Sequence, residues 1–150
     1  MNSIMKKAIL ILTAALTLAS NYAGGSEWLT DLPKAQAIAK EEKKMVLLDF
    51  TGSDWCGWCI KLNKEVFSQQ EFIDYAKKNL VLVEVDFPNK KKQPAELKKA
   101  NEALQKKYDI EGYPTIIVLD SEGNKVGQLG YTPGGPKAFI AKLEKITKKG

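Results

Sequence analysis

The sequence predicts a three-layer α/β domain: a central mixed sheet, made of a parallel pair plus an antiparallel hairpin, flanked by helices. Three observations predict it. Two apolar, β-branched runs, Met45 to Phe50 and Leu80 to Val85, read as strands buried on both faces. Stretches of helical period stand before, between and after them, an alternation that calls for parallel pairing with helices over the sheet. Beyond Gly112-Tyr113-Pro114, a third apolar run meets the turn Ser121-Glu122-Gly123-Asn124 and returns as a strand, which places a hairpin at the sheet edge.

The elements follow in order. Trp28 to Lys44 has the period of a helix, with Asp31 as N-cap, Pro33 in the first turn and Leu32, Ala35, Ile38 and Ala39 as its apolar stripe. The strand Met45 to Phe50 is broken only by Asp49. A polar loop, Thr51 to Asp54, leads to Trp55-Cys56-Gly57-Trp58-Cys59, which opens a helix running towards Phe67 with Leu62 and Val66 inward. Ser68 and Glu71 have the spacing of a capping box, so a second helical piece, Gln69 to Lys78, is predicted beyond a kink. After the strand Leu80 to Val85, the polar loop Phe87 to Gln93 carries three consecutive lysines. Pro94 then begins a helix with Leu97, Ala100, Leu104 and Tyr108 on one face. Thr115 to Leu119 and Lys125 to Leu129 form the hairpin. Gly134-Gly135-Pro136 starts a closing helix with Phe139, Leu143 and Ile146 towards the core. No internal repeat or linker divides the chain, and 150 residues suit one domain with one core.

Composition removes several classes of function. All 23 basic residues are lysine, with no arginine and no histidine, and the formal net charge is +5. Without arginine there is no bidentate fork for guanine edges or phosphates. Without histidine there is no imidazole base, catalytic triad or His-containing zinc site. The lysines are dispersed over predicted helix faces, a solvated basic surface with no nucleic-acid partner expected.

Residues 1–25 read as a signal peptide. Lys6 and Lys7 supply the positive start, Ala8 to Ala19 the apolar stretch, and small and polar residues follow from Ser20 to Ser26. The apolar run, about a dozen residues, is short of the roughly 20 that span a bilayer, and an uncleaved membrane anchor is the alternative. Ala19, Ser20 and Ala23 are each acceptable last residues, so cleavage is expected within residues 19–25. The mature domain, residues 26–150, is then expected outside the cytoplasm, in the periplasm or beyond.

That compartment bears on the cysteines, of which there are two, Cys56 and Cys59. A zinc site needs four ligands, and no further Cys or His exists, so a monomer builds none and no metal is expected. Haem attachment needs a histidine straight after the second cysteine, where Ile60 stands. A purely structural disulfide closing so short a loop stabilises little. The remaining reading is redox: Cys56 sits where a strand hands over to a helix, and unpaired N–H groups and the positive end of the helix dipole favour its thiolate. Cys59, one turn on, points the same way and can attack a mixed disulfide formed at Cys56. Trp55 and Trp58 flank that sulfur as a docking surface, with plain packing as the alternative.

At these residues the chain resembles the thioredoxin family. Leu48-Asp49-Phe50, Trp55-Cys56-Gly57-Trp58-Cys59 and Gly112-Tyr113-Pro114-Thr115 occur in the family's order and approximate spacing, and the resemblance covers nearly all of residues 27–150. It is similar to exported bacterial thioredoxin-like proteins and to the soluble reducing domain of thiol:disulfide interchange proteins. The resemblance implies a thioredoxin fold, with Asp49 as the buried acid that moves a proton to and from Cys59. It implies a cis-proline at Pro114, leaving the backbone of Tyr113 free to pair with an extended substrate, and a rim of Trp55, Gly57 and Gly130. Four departures stand out. The dipeptide between the cysteines is Gly57-Trp58. One extra residue separates Asp49 from Cys56. The family's buried lysine is missing, with Leu82 and Glu84 in its neighbourhood. The loop Phe87 to Gln93 is enlarged.

The function expected is therefore thiol–disulfide exchange between the Cys56–Cys59 pair and cysteines of exported proteins. Reduction is favoured, because Gly57-Trp58 offers no cation and no side-chain hydrogen bond to stabilise the thiolate. A disulfide oxidase or isomerase on the same site, and a redox-idle peptide-binding module, are the alternatives. No cofactor beyond the disulfide is expected. The domain is expected to be a monomer, and the resemblance implies a membrane-embedded electron donor.

Overall fold

The computed structural model describes residues 27–148; the expected signal peptide, residues 1–25, lies outside the described residues. The elements are β1 (Trp28–Leu29), α1 (Leu32–Glu42), β2 (Met45–Thr51), α2 (Gly57–Leu62), a π-helical turn (Asn63–Phe67), α3 (Gln70–Asn79), β3 (Leu80–Asp86), α4 (Ala95–Lys107), β4 (Thr115–Leu119), β5 (Lys125–Leu129) and α5 (Gly135–Thr147). The sheet order is β1-β3-β2-β4-β5, parallel from β1 to β2 and antiparallel from β2 to β5. The expected parallel pair and hairpin are both present.

The alternation of β2 and β3 divides the core in two. Val46, Leu48, Phe50, Val81, Val83 and Val85 face α1 and the end of α4, packing on Leu32, Ala35, Ala39 and Tyr108. Leu47, Leu80 and Leu82 face the other way, onto Leu62, Val66, Phe72, Phe139 and Leu143. In that second layer Phe67, Phe72 and Phe139 meet with centroids 5.0, 5.5 and 5.9 Å apart. Asp49 and Glu84 belong to this same face, at the end of the sheet where α2 begins.

Local structure corrects the sequence reading in four places. Trp28 and Leu29 are not helical: they pair in parallel with Leu82 and Val83, and the helix begins at Leu32, capped by Asp31 Oδ1 accepting from the Lys34 N–H at 3.0 Å. The capping box at Ser68 does not form. Gln69 is the N-cap without a side-chain bond, because the Ser68 N–H already donates to Asn63 O at 2.8 Å and closes the π turn. That wide turn buries two successive residues, Val66 and Phe67. On α4 the inward position falls to Asn101 and not to Ala100, because the Asn101 amide donates to the Asp86 carbonyl at 3.0 Å. Pro94 is the N-cap of α4, one residue outside the helix.

Candidate active site

The site forms where β2 ends. From Thr51 the chain turns at Gly52, whose carbonyl accepts from the N–H groups of Trp55 (3.2 Å) and Cys56 (2.8 Å). A side chain at Gly52 would fall on the Trp55 indole, so this turn needs glycine. Cys56 is extended and caps α2: its Sγ accepts from the Cys59 N–H at 3.2 Å. Cys56 and Cys59 are joined as a disulfide, with Cα atoms 5.2 Å apart. Both are nearly closed off, at 7% and 5% exposure, so exposure alone does not distinguish them. What differs is their surroundings. Cys56 faces a helix-start N–H, while Cys59 lines a cavity of about 220 Å³ together with Asp49, Thr51, Ser53 and Glu84.

Asp49 fits the role of a proton-holding group. It is buried, and its Oδ1 has no hydrogen-bond partner among the described residues. Burial, reinforced by the charges of Glu84 and Asp86, pushes its pKa up to about 8. The extra residue before Cys56 does not take the acid away from the cavity that Cys59 lines.

The remaining expected residues meet in pairs on either side of the Cys56–Cys59 segment in the chain. The Trp55 ring meets Tyr113 edge-on at 5.9 Å. Tyr113 precedes Pro114 through a cis bond and stands just outside β4. The Pro114 carbonyl lies beside Gly130, 3.9 Å from where a side chain would begin. Tyr131, next in the chain, packs on Trp58 at 4.9 Å, and Gly57 between the cysteines has open space before it. The large hydrophobic side chains left exposed among the described residues are Trp55 (44%), Trp58 (57%) and Ile60 (49%), all beside the cysteines.

Several participants were not singled out from sequence. Tyr131 donates to Glu65 Oε2 at 2.6 Å, and Lys61 Nζ lies over both Trp58 and Tyr131, fixing the ledge on that side. On the other side the enlarged loop is tied to the lengthened turn. Asp86 accepts from the N–H and Oγ of Ser53, Asp54 accepts from the N–H groups of Asn89, Lys90 and Lys91 at 2.8–2.9 Å, and the Trp55 indole donates to Phe87 O at 2.7 Å. These backbone bonds hold the Asp54 carboxyl below the usual carboxylate range. Asp54→Ala should free the three amides: their hydrogen exchange should speed up about tenfold or more, and a lysine-specific protease should cut faster at Lys90 to Lys92. Unchanged exchange at those amides would show that the loop is held by other contacts.

A Cys-x-x-Cys disulfide at a helix start, a buried acid on the cavity that the second cysteine lines and a cis-proline leading into β4 of a mixed sheet are together the arrangement of a thiol–disulfide exchange domain. The chain belongs to the thioredoxin-like family: the family model for a thioredoxin-like domain matches residues 32–147. It is 39% identical over 110 residues to the disulfide bond reductase DsbH of Chlamydia pneumoniae, covering 73% of this chain and 66% of that protein. It is 31% identical over 120 residues to the thiol:disulfide interchange protein DsbD of Vibrio vulnificus, covering 78% of this chain and 18% of that one. In both cases the match spans less than two thirds of the relative's length. The solved structure of a DsbH oxidoreductase superposes with a TM-score of 0.77 at 37% identity, covering 81% of this chain and 84% of that one.

Proposed function

We propose that this chain is a disulfide reductase acting outside the cytoplasm on cysteines of exported proteins, with Cys56 as nucleophile and Cys59 as resolving thiol. The observation that carries the assignment is the Cys59 N–H directed at Cys56 Sγ, with Cys59 itself on the Asp49 cavity. In the reduced protein the Cys56 thiolate attacks a client disulfide, forms a mixed disulfide and releases one client thiolate. Asp49, once it has released its own proton (its pKa is about 8), accepts the proton of Cys59, which attacks Cys56 Sγ and releases the second client thiolate. Two electrons pass from the domain to the client, and the Cys56–Cys59 disulfide is left with the proton on Asp49. The rim from Trp55 through Tyr113, Pro114 and Gly130 to Trp58 receives the extended client segment.

The cycle closes when a membrane-embedded dithiol donor reduces the disulfide again; no other cofactor enters, and the domain works as a monomer once its leader is removed. The reducing direction is supported by the intervening dipeptide, which brings no side chain to Cys56 Sγ, leaving one backbone N–H as its hydrogen bond. The Chlamydia pneumoniae relative is itself named a disulfide bond reductase, which agrees with that direction. Equilibration with glutathione buffers tests it. The potential should lie nearer thioredoxin's ~−270 mV than the ~−120 mV of the strongest oxidant of this fold, and a value above about −180 mV would make the protein an oxidase or isomerase.

A further inference from the structure

We propose that Glu84 is a second acid of the exchange site, passing protons between Asp49 and solvent. The inference rests on the proposed exchange reaction and extends it to the route by which the proton on Asp49 is replaced or released.

The geometry comes from strand register. Asp49 and Glu84 are direct partners across the parallel β2–β3 pair, so their side chains leave the same face of the sheet side by side. Glu84 is also the one half-exposed position in a strand whose other residues are all buried. It lines the 220 Å³ cavity with Asp49 and Cys59, and it lines a second hollow of about 160 Å³ with Asp86, Lys91 and Lys92. No other described residue lines both. Glu84 is therefore the wall between the cavity that holds Cys59 and a pocket that opens among lysines.

The charged surroundings favour a mobile proton over an ion pair. The groups facing Asp49 and Glu84 are Cys59 from α2, Asp86 from β3, and Lys91 and Lys92 from the loop; β1 and the π turn contribute Trp28 and Asn63, which do not titrate. Lys91 Nζ lies 3.6 Å from Asp86 and so is committed there. Among the described residues no cation lines the Asp49 cavity. Burial and Asp86 raise the Glu84 pKa while Lys91 lowers it, whereas Asp49 is raised by burial and by Glu84 itself. The more exposed Glu84 thus ionises first, and its charge keeps the proton on Asp49. When Cys59 leaves as a thiolate on re-reduction, Asp49 gives up its proton to it and Glu84 delivers the next one from the outer pocket. When Cys59 attacks, the same transfers run in reverse.

The test begins with a measurement that needs no activity: titration of the Asp49 carboxyl by NMR in the oxidised protein. Glu84→Gln should lower the Asp49 pKa by about one unit, and Glu84→Asp should restore most of it. In turnover with a model disulfide, Glu84→Gln should slow the resolution step severalfold and move its pH profile to lower pH by the same amount. The rate at which Cys56 is alkylated should stay unchanged. In an Asp49→Asn background, Glu84→Gln should add no further effect on resolution. An unshifted Asp49 titration in a folded Glu84→Gln protein overturns the proposal, as does a full additional effect in the Asp49→Asn background. Absence of any disulfide exchange by the parent protein would instead defeat the reductase reading while leaving the titration result standing.

Discussion

Cys59→Ser should accumulate client proteins as mixed disulfides on Cys56, whereas Cys56→Ser should trap almost none and lose exchange by about 10³-fold or more. The first variant retains the attacking sulfur and removes the group that releases the client; the second removes the attack itself. The structure sharpens what distinguishes the two thiols. Both are nearly closed off in the disulfide form, so a difference in alkylation has to come from ionisation and not from access. Cys56 accepts the Cys59 N–H at 3.2 Å, which favours its thiolate, while Cys59 shares a cavity with an acid whose pKa is pushed up to about 8. In the reduced protein at mildly acidic pH, Cys56 should be labelled many times faster than Cys59, and the gap should narrow as pH rises. Equal rates in acid would sink the assignment of roles.

Asp49→Asn should make the protein more stable and slower. The sign follows from linkage. The Asp49 pKa is about 8 in the folded protein, against an ordinary 3.8. The folded state therefore holds the carboxyl in its neutral form with no penalty below pH 4. A penalty appears as pH rises above the unfolded value and reaches its full size once pH passes about 8. Asparagine removes a destabilisation on the order of 4 kcal/mol at neutral pH and almost none at pH 4. Denaturant unfolding of the oxidised parent and variant at pH 4, 7 and 9 checks this: the gap should widen steadily with pH. The same substitution removes the acceptor for the Cys59 proton, so resolution of the mixed disulfide should slow by about 10²-fold near neutral pH. A variant with full activity and a pH-independent stability difference would show that Asp49 only fills space.

Much of the site was legible because its parts are local. Two cysteines a turn apart at a strand-to-helix junction, and an acid alone in an apolar strand, carry their chemistry in short stretches of sequence. The fold was legible for a similar reason, since the two buried strands and the hairpin turn announce themselves by composition. What could not be read depends on register or on distant partners. Trp28 and Leu29 form a strand only because β3 offers an edge at Leu82 and Val83, and two residues have no period to detect. Asn101 is inside because Asp86, fifteen residues earlier, presents a carbonyl to it. Glu84 marked itself only as the residue standing near where a lysine was expected. Its pairing with Asp49 follows from how β2 and β3 are staggered, although one signal was available: each is the single charged residue in an apolar strand run.

The bonds from Asp54 to Asn89, Lys90 and Lys91, with those of Ser53 and Trp55 to Asp86 and Phe87, join two lengthened segments that the chain separates by more than thirty residues. For anyone building chimeras from this domain, they form a single cassette. Moving residues 52–55 alone into a shorter-looped scaffold would leave Asp54 facing water and the Trp55 indole without its acceptor. Moving residues 86–93 alone would leave three backbone amides and a lysine-rich loop with nothing to fold against. Transplanted together, the two segments bring their own scaffolding, and the posture of Trp55 beside the disulfide should travel with them.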